Sequence, residues 1–344
     1  MRFMSDNTAT ASTEIMDALV AVNRGLEAAY GEDPWSKRLD QVFADYFATD
    51  VRVFTVATGT AANSLALATV TPPYGAIFAH EEAHVVRDEC SAPEFFSGGA
   101  RIILVPGAQA KVSVAALTRA LESNPPTVHT VQPASLTLTQ ATELGTVYGI
   151  DEIAALAEFA HQHGLAVHMD GARFANAVVT LGCEPADTTW RAGVDVLSFG
   201  ATKNGALGAE AIVFFDLQRV ADFELRRKRA GQLLSKSRYA AAQLLAYIES
   251  GLWQRNAART NALALRIAAA APSRLHCPVQ ANEVFMRLAD VEKNALRAAG
   301  FEFYDWGAER SGQVRFVVSW DQREEDVLAL CATLTRAVDP LSPS

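Results

Sequence analysis

Over residues 63–215 short apolar runs alternate with amphipathic stretches, and that alternation leaves the chain few architectures. Arg101–Val105 (RIILV), Leu165–Met169 (LAVHM), Val194–Phe199 (VDVLSF) and Ala211–Phe215 (AIVFF) read as strands, with shorter runs at Ala76–Phe78 and Val128–Val131. Asn63–Thr69, Val112–Ser123 and Ile150–His163 carry helical spacing, and the last stops at Gly164. Strands and helices in turn predict an α/β fold with a largely parallel sheet. Phe223–Trp253 opens with the basic run ELRRKRAG and continues as a long helix. From Arg255 the pattern changes to a helix reaching Ala271, then Pro272 and short strands near Glu283–Leu288, Phe301–Tyr304 and Val314–Ser319. The expected organisation is a large domain over residues 1–252, N-terminal segment included, and a smaller α+β domain over 253–344.

The 344 residues are 50% hydrophobic and 20% charged, with a formal net charge of −9. That balance disfavours a nucleic-acid or anionic-membrane partner. No apolar run approaches the ~18 residues that suggest a membrane span. The opening MRFMSDNTATAS lacks the apolar stretch of a signal peptide, so a cytoplasmic location is expected. Cys90, Cys183, Cys277 and Cys331 share no C-x-x-C spacing, which predicts reduced, buried thiols and no metal site.

Three segments carry candidate chemistry, each just after a predicted strand, where open α/β sheets place their ligands. In HMDGAR, Asp170 closes an apolar strand, and its carboxylate can hold a protonated ring nitrogen. In SFGATKNG, Lys203 sits among small residues in a loop that a cofactor can approach closely. In TVATGTAAN, Gly59 and Thr60 open a helix whose N–H groups can grip a phosphate; neither a dinucleotide fingerprint nor a Walker loop is present. Each alone has a plainer account: a capping Asp, a solvated lysine, an ordinary helix start. Together, in this chain order, they supply what pyridoxal 5'-phosphate (PLP) requires: an anion site, a carboxylate for the pyridine nitrogen and a lysine for a Schiff base.

With these residues in view, the chain resembles the low-specificity L-threonine aldolases, PLP enzymes of the aspartate-aminotransferase fold (fold type I). The resemblance runs through F-x-S-D-N-T at the start, YGEDP (Tyr30–Pro34), TGTAAN, AHEEAH, HMDGARFANA, the Lys203 loop and VRFVVSW. MDGARFANA and SDNT are the most specific, and the SFG-x-TKNG loop is closest to a branch that includes phenylserine aldolases. The resemblance implies Lys203 as the Schiff-base lysine and Asp170 as partner of the pyridine nitrogen. It implies Gly59 and Thr60 at the phosphate and His84 over the ring. Ser5, Arg173 and Arg315 would hold the substrate carboxylate. Arg229 and Lys236 match, more loosely, basic positions that reach the phosphate from a neighbouring subunit, so a homodimer or homotetramer is expected. The implied reaction is retro-aldol cleavage of L-threonine, L-allo-threonine or related β-hydroxy-α-amino acids such as phenylserine to glycine and an aldehyde.

The chain departs from the better-known branch where that branch has a histidine: here QATELGTVY places Glu143 nearest. The base for the β-hydroxyl proton is therefore open between His84, Glu143 and a bound water. An aminotransferase or carbon–sulfur β-lyase would use the same lysine and aspartate, and a degenerate PLP-fold binding protein is the non-enzymatic alternative. His80, His129, His161 and His163 read as surface or packing residues, His168 as buried in its strand, and Arg226–Arg229 as a solvated helix face. Arg315, without the resemblance, is an arginine on a strand.

Overall fold

Residues 1–307 and 311–338 are described by the computed structural model. Seven strands form the main sheet: β1 (Arg52–Val56), β2 (Gly75–His80), β3 (Arg101–Val105), β4 (Gln132–Thr139), β5 (Ala166–Gly171), β6 (Val196–Gly200) and β7 (Glu210–Phe214). Their order is β1-β7-β6-β5-β4-β2-β3. β7 runs antiparallel to both neighbours, and every other pair is parallel. The exception has a plain cause. Only Ala201–Ala209 connects β6 to β7, too short for the crossover that a parallel pairing needs.

The apolar runs are continuous because the central strands are covered on both faces. Alternate residues feed opposite cores: Met169, Leu197, Phe199, Ala211 and Val213 join one cluster, while Ala166, Val196, Ile212 and Phe214 join another. The alanine-rich helix Gly59–Val70 belongs to the second face and is buried along most of its length. Its small side chains let it lie flat on the sheet, which brings its N-terminus to the C-terminal edge of β5 and β6.

The smaller sheet comprises β8 (Glu283–Arg287), β9 (Tyr304–Trp306) and β10 (Gln313–Val317), antiparallel in the order β8-β10-β9. Its core gathers Val284, Met286, Leu296, Phe316, Val327 and Leu330 with Leu263, Ala264 and Ile267 of the helix Leu252–Ala270. Phe3 is part of this core, so the first residues pack with the C-terminal elements. Leu252, at the other end of that helix, belongs to the main core.

Several expected elements are displaced. Val128–Val131 is not a strand: Val128 is exposed, residues 127–130 form a turn, and β4 starts at Gln132, where Gly75 supplies a partner. The segment Phe223–Trp253 is broken into the helices Phe223–Arg229 and Arg238–Glu249, while the helix expected from Arg255 to Ala271 runs Leu252–Ala270. Gly231 and Gly251 adopt φ of +73° and +68° at the breaks, the left-handed conformation that ends helices. Phe301–Tyr304 is extended, but its partner is the N-terminus: Phe3 N donates to Glu302 O at 2.8 Å and Glu302 N to Met1 O at 2.9 Å. β9 therefore begins only at Tyr304. The cysteines are free, but none is buried and Cys90 is exposed. Among the described residues no helix is long and apolar enough to cross a membrane, and no cluster suited to a metal ion occurs.

Candidate active site

One cavity at the C-terminal edge of the sheet is lined by Gly59, Asn63, His84, Thr139, Glu143, Asp170, Ala172, Arg173 and Lys203, among others. Asp170 and Lys203 reach it from adjacent parallel strands, β5 and β6, in which Asp170 faces Ser198.

Asp170 is 4% exposed and its carboxylate is fully directed. Oδ1 accepts from Ala172 N at 3.0 Å and Oδ2 from Asn63 Nδ2 at 2.7 Å. The glycine at 171, the last residue of β5, is needed for space, since a Cβ there would lie 2.7 Å from Ser198 O.

Lys203 lies in the short turn Thr202–Asn204 that follows β6. Its neighbours hold the turn still. Asn204 Nδ2 donates to Tyr247 Oη at 2.6 Å and to Trp253 O at 2.8 Å, and Asn256 Nδ2 donates to Asn204 O at 2.9 Å. Asn204 and Gly205 thus serve the lysine by fixing its backbone.

Gly59 and Thr60 are the first two residues of their helix, capped by Thr58, whose Oγ1 accepts from Ala61 N at 3.1 Å. The Gly59 and Thr60 N–H groups have no intrahelical acceptor by position, and no atom lies within 4 Å of where a Gly59 Cβ would stand. This is an open anion cradle on the same cavity.

On the opposite wall, His84 Nδ1 lies 2.8 Å from Glu89 Oε1, which also accepts from Asn63 Nδ2 at 2.8 Å. A continuous polar chain therefore runs His84–Glu89–Asn63–Asp170. The Glu89 hydrogen bond holds the His84 imidazole above its usual range, against burial. Burial likewise raises the Glu89 carboxyl, with His84 and Asn63 opposing. Glu143 Oε1 accepts from His84 N at 2.9 Å and from Thr139 Oγ1 at 2.7 Å, and burial raises this carboxyl to about 7.

Arg173 is gripped by Asp6, with Nε to Oδ2 at 2.9 Å and Nη2 to Oδ1 at 3.1 Å, and its Nη1 lies 3.2 Å from Glu283 Oε2. Glu283 Oε1 in turn lies 3.8 Å from Arg315 Nη1, and Arg315 stacks over Trp306 at 4.3 Å. Burial opposes charge on Asp6, but Arg173, Lys203 and Asn282 outweigh it and its carboxyl sits below the usual range. For Glu283 burial wins over Arg173 and Arg315, and its carboxyl sits above.

Of the residues singled out in the sequence, Gly59, His84, Asp170, Arg173 and Lys203 line this cavity, as does Glu143. Arg315 stands behind Arg173, separated from it by Glu283. Ser5 caps the turn that presents Asp6. Arg229 and Lys236 are exposed and line no part of it in their own chain. Sequence reasoning missed Asp6, Asn63, Glu89 and Glu283. Asp6 and Asn63 lay inside the motifs SDNT and TGTAAN; Glu89 and Glu283 had no local signal.

The donor set suits PLP: an amine without a hydrogen bond or ion pair among the described residues, a fixed carboxylate and an open anion cradle share one cavity. Comparison with known proteins agrees. The profile of the beta-eliminating lyases matches residues 2–291. The low specificity L-threonine aldolase of Pseudomonas aeruginosa is 44% identical, covering 96% of this chain and 95% of that one. The enzyme of the same name from Pseudomonas sp. (strain NCIMB 10558) is 42% identical over 98% of this chain and 97% of its own. Among solved structures, the threonine aldolase of Leishmania major superposes with a TM-score of 0.92 at 25% identity, covering 98% of this chain and 99% of that one. An aspartate aminotransferase from Rhodobacter sphaeroides, at 16% identity and a TM-score of 0.70 over 99% of this chain and 93% of its own, shares the fold alone. The architecture is PLP fold type I, and the chain belongs to the low-specificity L-threonine aldolase family, within the beta-eliminating lyases.

Proposed function

We propose that this protein is a PLP-dependent aldolase that reversibly cleaves L-threonine, L-allo-threonine and related β-hydroxy-α-amino acids, phenylserine among them, to glycine and an aldehyde. The observation that carries the reading is the convergence of Lys203, Asp170 and Arg173 on one cavity in a chain 44% identical to a threonine aldolase.

In this reading the Lys203 amine would hold the cofactor, Asp170 would pair with its ring nitrogen, Gly59 and Thr60 would hold its phosphate, and His84 would lie against the ring. Bound PLP supplies an electron sink for the pair left on the substrate Cα. Asp170 stabilises a proton on the ring nitrogen, and Asn63 and the Ala172 amide keep that carboxylate pointed at it. Arg173 orients the substrate carboxylate, with Arg315 and Ser5 behind it, so that the Cα–Cβ bond is the one aligned for cleavage. Arg229 and Lys236, exposed in their own chain, reach the phosphate of a neighbouring subunit in a homodimer or homotetramer.

Glycine plus benzaldehyde is the deciding assay. Formation of phenylserine without a keto acid supports an aldolase; dependence on a keto acid indicates transamination. Borohydride reduction followed by peptide mapping should place the modification on Lys203. Lys203→Ala should abolish the visible absorbance and turnover, and full activity in that variant excludes the scheme.

A further inference from the structure

We propose that Glu143, through Oε2, is the base that takes the β-hydroxyl proton of the substrate. The proposal rests on the aldolase reading above and assigns one step within it.

The Glu143 carboxyl lines the same cavity as Lys203, Asp170, Arg173 and His84. Its Oε1 is held by two donors, the His84 N–H at 2.9 Å and the Thr139 hydroxyl at 2.7 Å. Its Oε2 is buried and has no hydrogen-bond partner. A buried carboxylate oxygen without a donor is rare and costly, and a substrate hydroxyl is the donor that this position lacks. The arrangement is that of an oriented base with one oxygen reserved.

The other groups of the cavity are committed elsewhere. His84 has Nδ1 on Glu89, and that hydrogen bond holds the imidazole above its usual range. Both oxygens of Asp170 accept hydrogen bonds already. Arg173 is paired with Asp6 and Glu283, and the Lys203 amine is the group assigned to the cofactor. The groups that face Glu143 are His84 from the turn His84–Arg87, Asp170 from β5, Tyr148 from its own loop, Lys203 from the β6–β7 connection and Arg173 from the helix start. Burial raises the carboxyl to about 7, with Asp170 adding and the Thr139 hydroxyl and His84 amide opposing. A base is most effective when its pKa lies near the working pH.

The step balances. The substrate O–H bond breaks and its proton passes to Glu143 Oε2. The oxygen pair forms the C=O bond of the aldehyde while the Cα–Cβ pair passes to Cα, for which bound PLP would supply the electron sink. One proton delivered to Cα and one released from Glu143 then give glycine and the free carboxylate, with no net change in protons or electrons.

Glu143→Gln separates this step from the rest, because glycine has no β-hydroxyl. The variant should hold PLP, read by visible absorbance, and exchange the α-proton of glycine in D2O, read by NMR, both within about threefold of the parent. Its cleavage of phenylserine should fall by about 100-fold or more. Cleavage within about threefold of the parent, or exchange that falls in step with cleavage, overturns the assignment. Should Glu143→Gln not fold, the parent decides. Its cleavage rate should have an acid limb with a midpoint near 7 that glycine exchange lacks, and a cleavage profile flat between pH 6 and 8 overturns the proposal. A parent protein that cleaves no β-hydroxy-α-amino acid fails the aldolase reading itself, a result distinct from either.

Discussion

The carboxamide of Asn63 donates to Asp170 Oδ2 at 2.7 Å and, with its second hydrogen, to Glu89 Oε1 at 2.8 Å. One small amide, buried in the first turns of the Gly59–Val70 helix, thus aims the acid expected at the ring nitrogen and ties it to the acid that holds His84.

Removing that amide should damage fold and site together. In Asn63→Ala Asp170 Oδ2 loses its donor, at a cost of about 1–3 kcal/mol for the unsatisfied group, while Glu89 Oε1 keeps only His84. The expected outcome is a lower midpoint in urea and a PLP affinity weakened about tenfold or more. A variant with parental stability and cofactor affinity would show that the link is incidental.

The charge cluster behind Arg173 predicts a different split. Asp6 and Glu283 already balance Arg173 and Arg315, so the arriving substrate carboxylate leans on whichever guanidinium edges remain. Arg315→Ala should raise KM for the amino acid by about tenfold or more, while PLP titrates as in the parent. An equal loss of cofactor binding argues against a role confined to substrate.

Much of this site was legible in the sequence because its signals are local. Asp170 ends an apolar strand and meets Gly171; Lys203 follows VDVL in a small-residue loop; Gly59 and Thr60 start a helix after TVAT. The charges that position Arg173 were not legible, because they come from far along the chain. Asp6 is 167 positions away, and Glu283 sits on a strand of the smaller sheet. The strands show the same divide: β2, β3, β5, β6 and β7 could be placed from their apolar runs, whereas β1 was assigned no run, β4 was misplaced to Val128–Val131, and the N-terminal partner of Phe301–Phe303 required the tertiary fold. The second core explains why, since Phe3, Phe301 and Phe316 meet there.

Glu210 gives a pH prediction with a defined sign. It is 7% exposed at the start of β7, and burial raises its carboxyl to about 7, with Thr202 and Lys203 opposing. The folded state therefore binds this proton more tightly than the unfolded chain. Its contribution is fully present below the unfolded value, near 4.5, and is lost as pH rises through about 7. Glu210→Gln keeps a hydrogen-bonding group and removes the titration. It should be more stable than the parent at pH 8, by at most about 3 kcal/mol, and gain little at pH 5. Denaturant midpoints at the two pH values check this; a gain independent of pH sinks it.

Gly205 tests whether the lysine turn depends on its own backbone. Its φ is +115°, in the region that side chains rarely adopt, and a Cβ there would lie 2.7 Å from Asn256 Nδ2. That same Nδ2 donates to Asn204 O at 2.9 Å, so Asn256 can move aside only by releasing the turn. Gly205→Ala should cost about 1–3 kcal/mol for the strained conformation and loosen the residue pair that anchors Lys203. We expect a lower melting temperature together with reduced PLP occupancy and slower borohydride trapping. Asn256→Ala should reproduce the cofactor defect with its glycine intact, since it removes the same anchor. If Gly205→Ala melts early but binds PLP as the parent does, the turn holds its lysine through Asn204, Tyr247 and Trp253 alone.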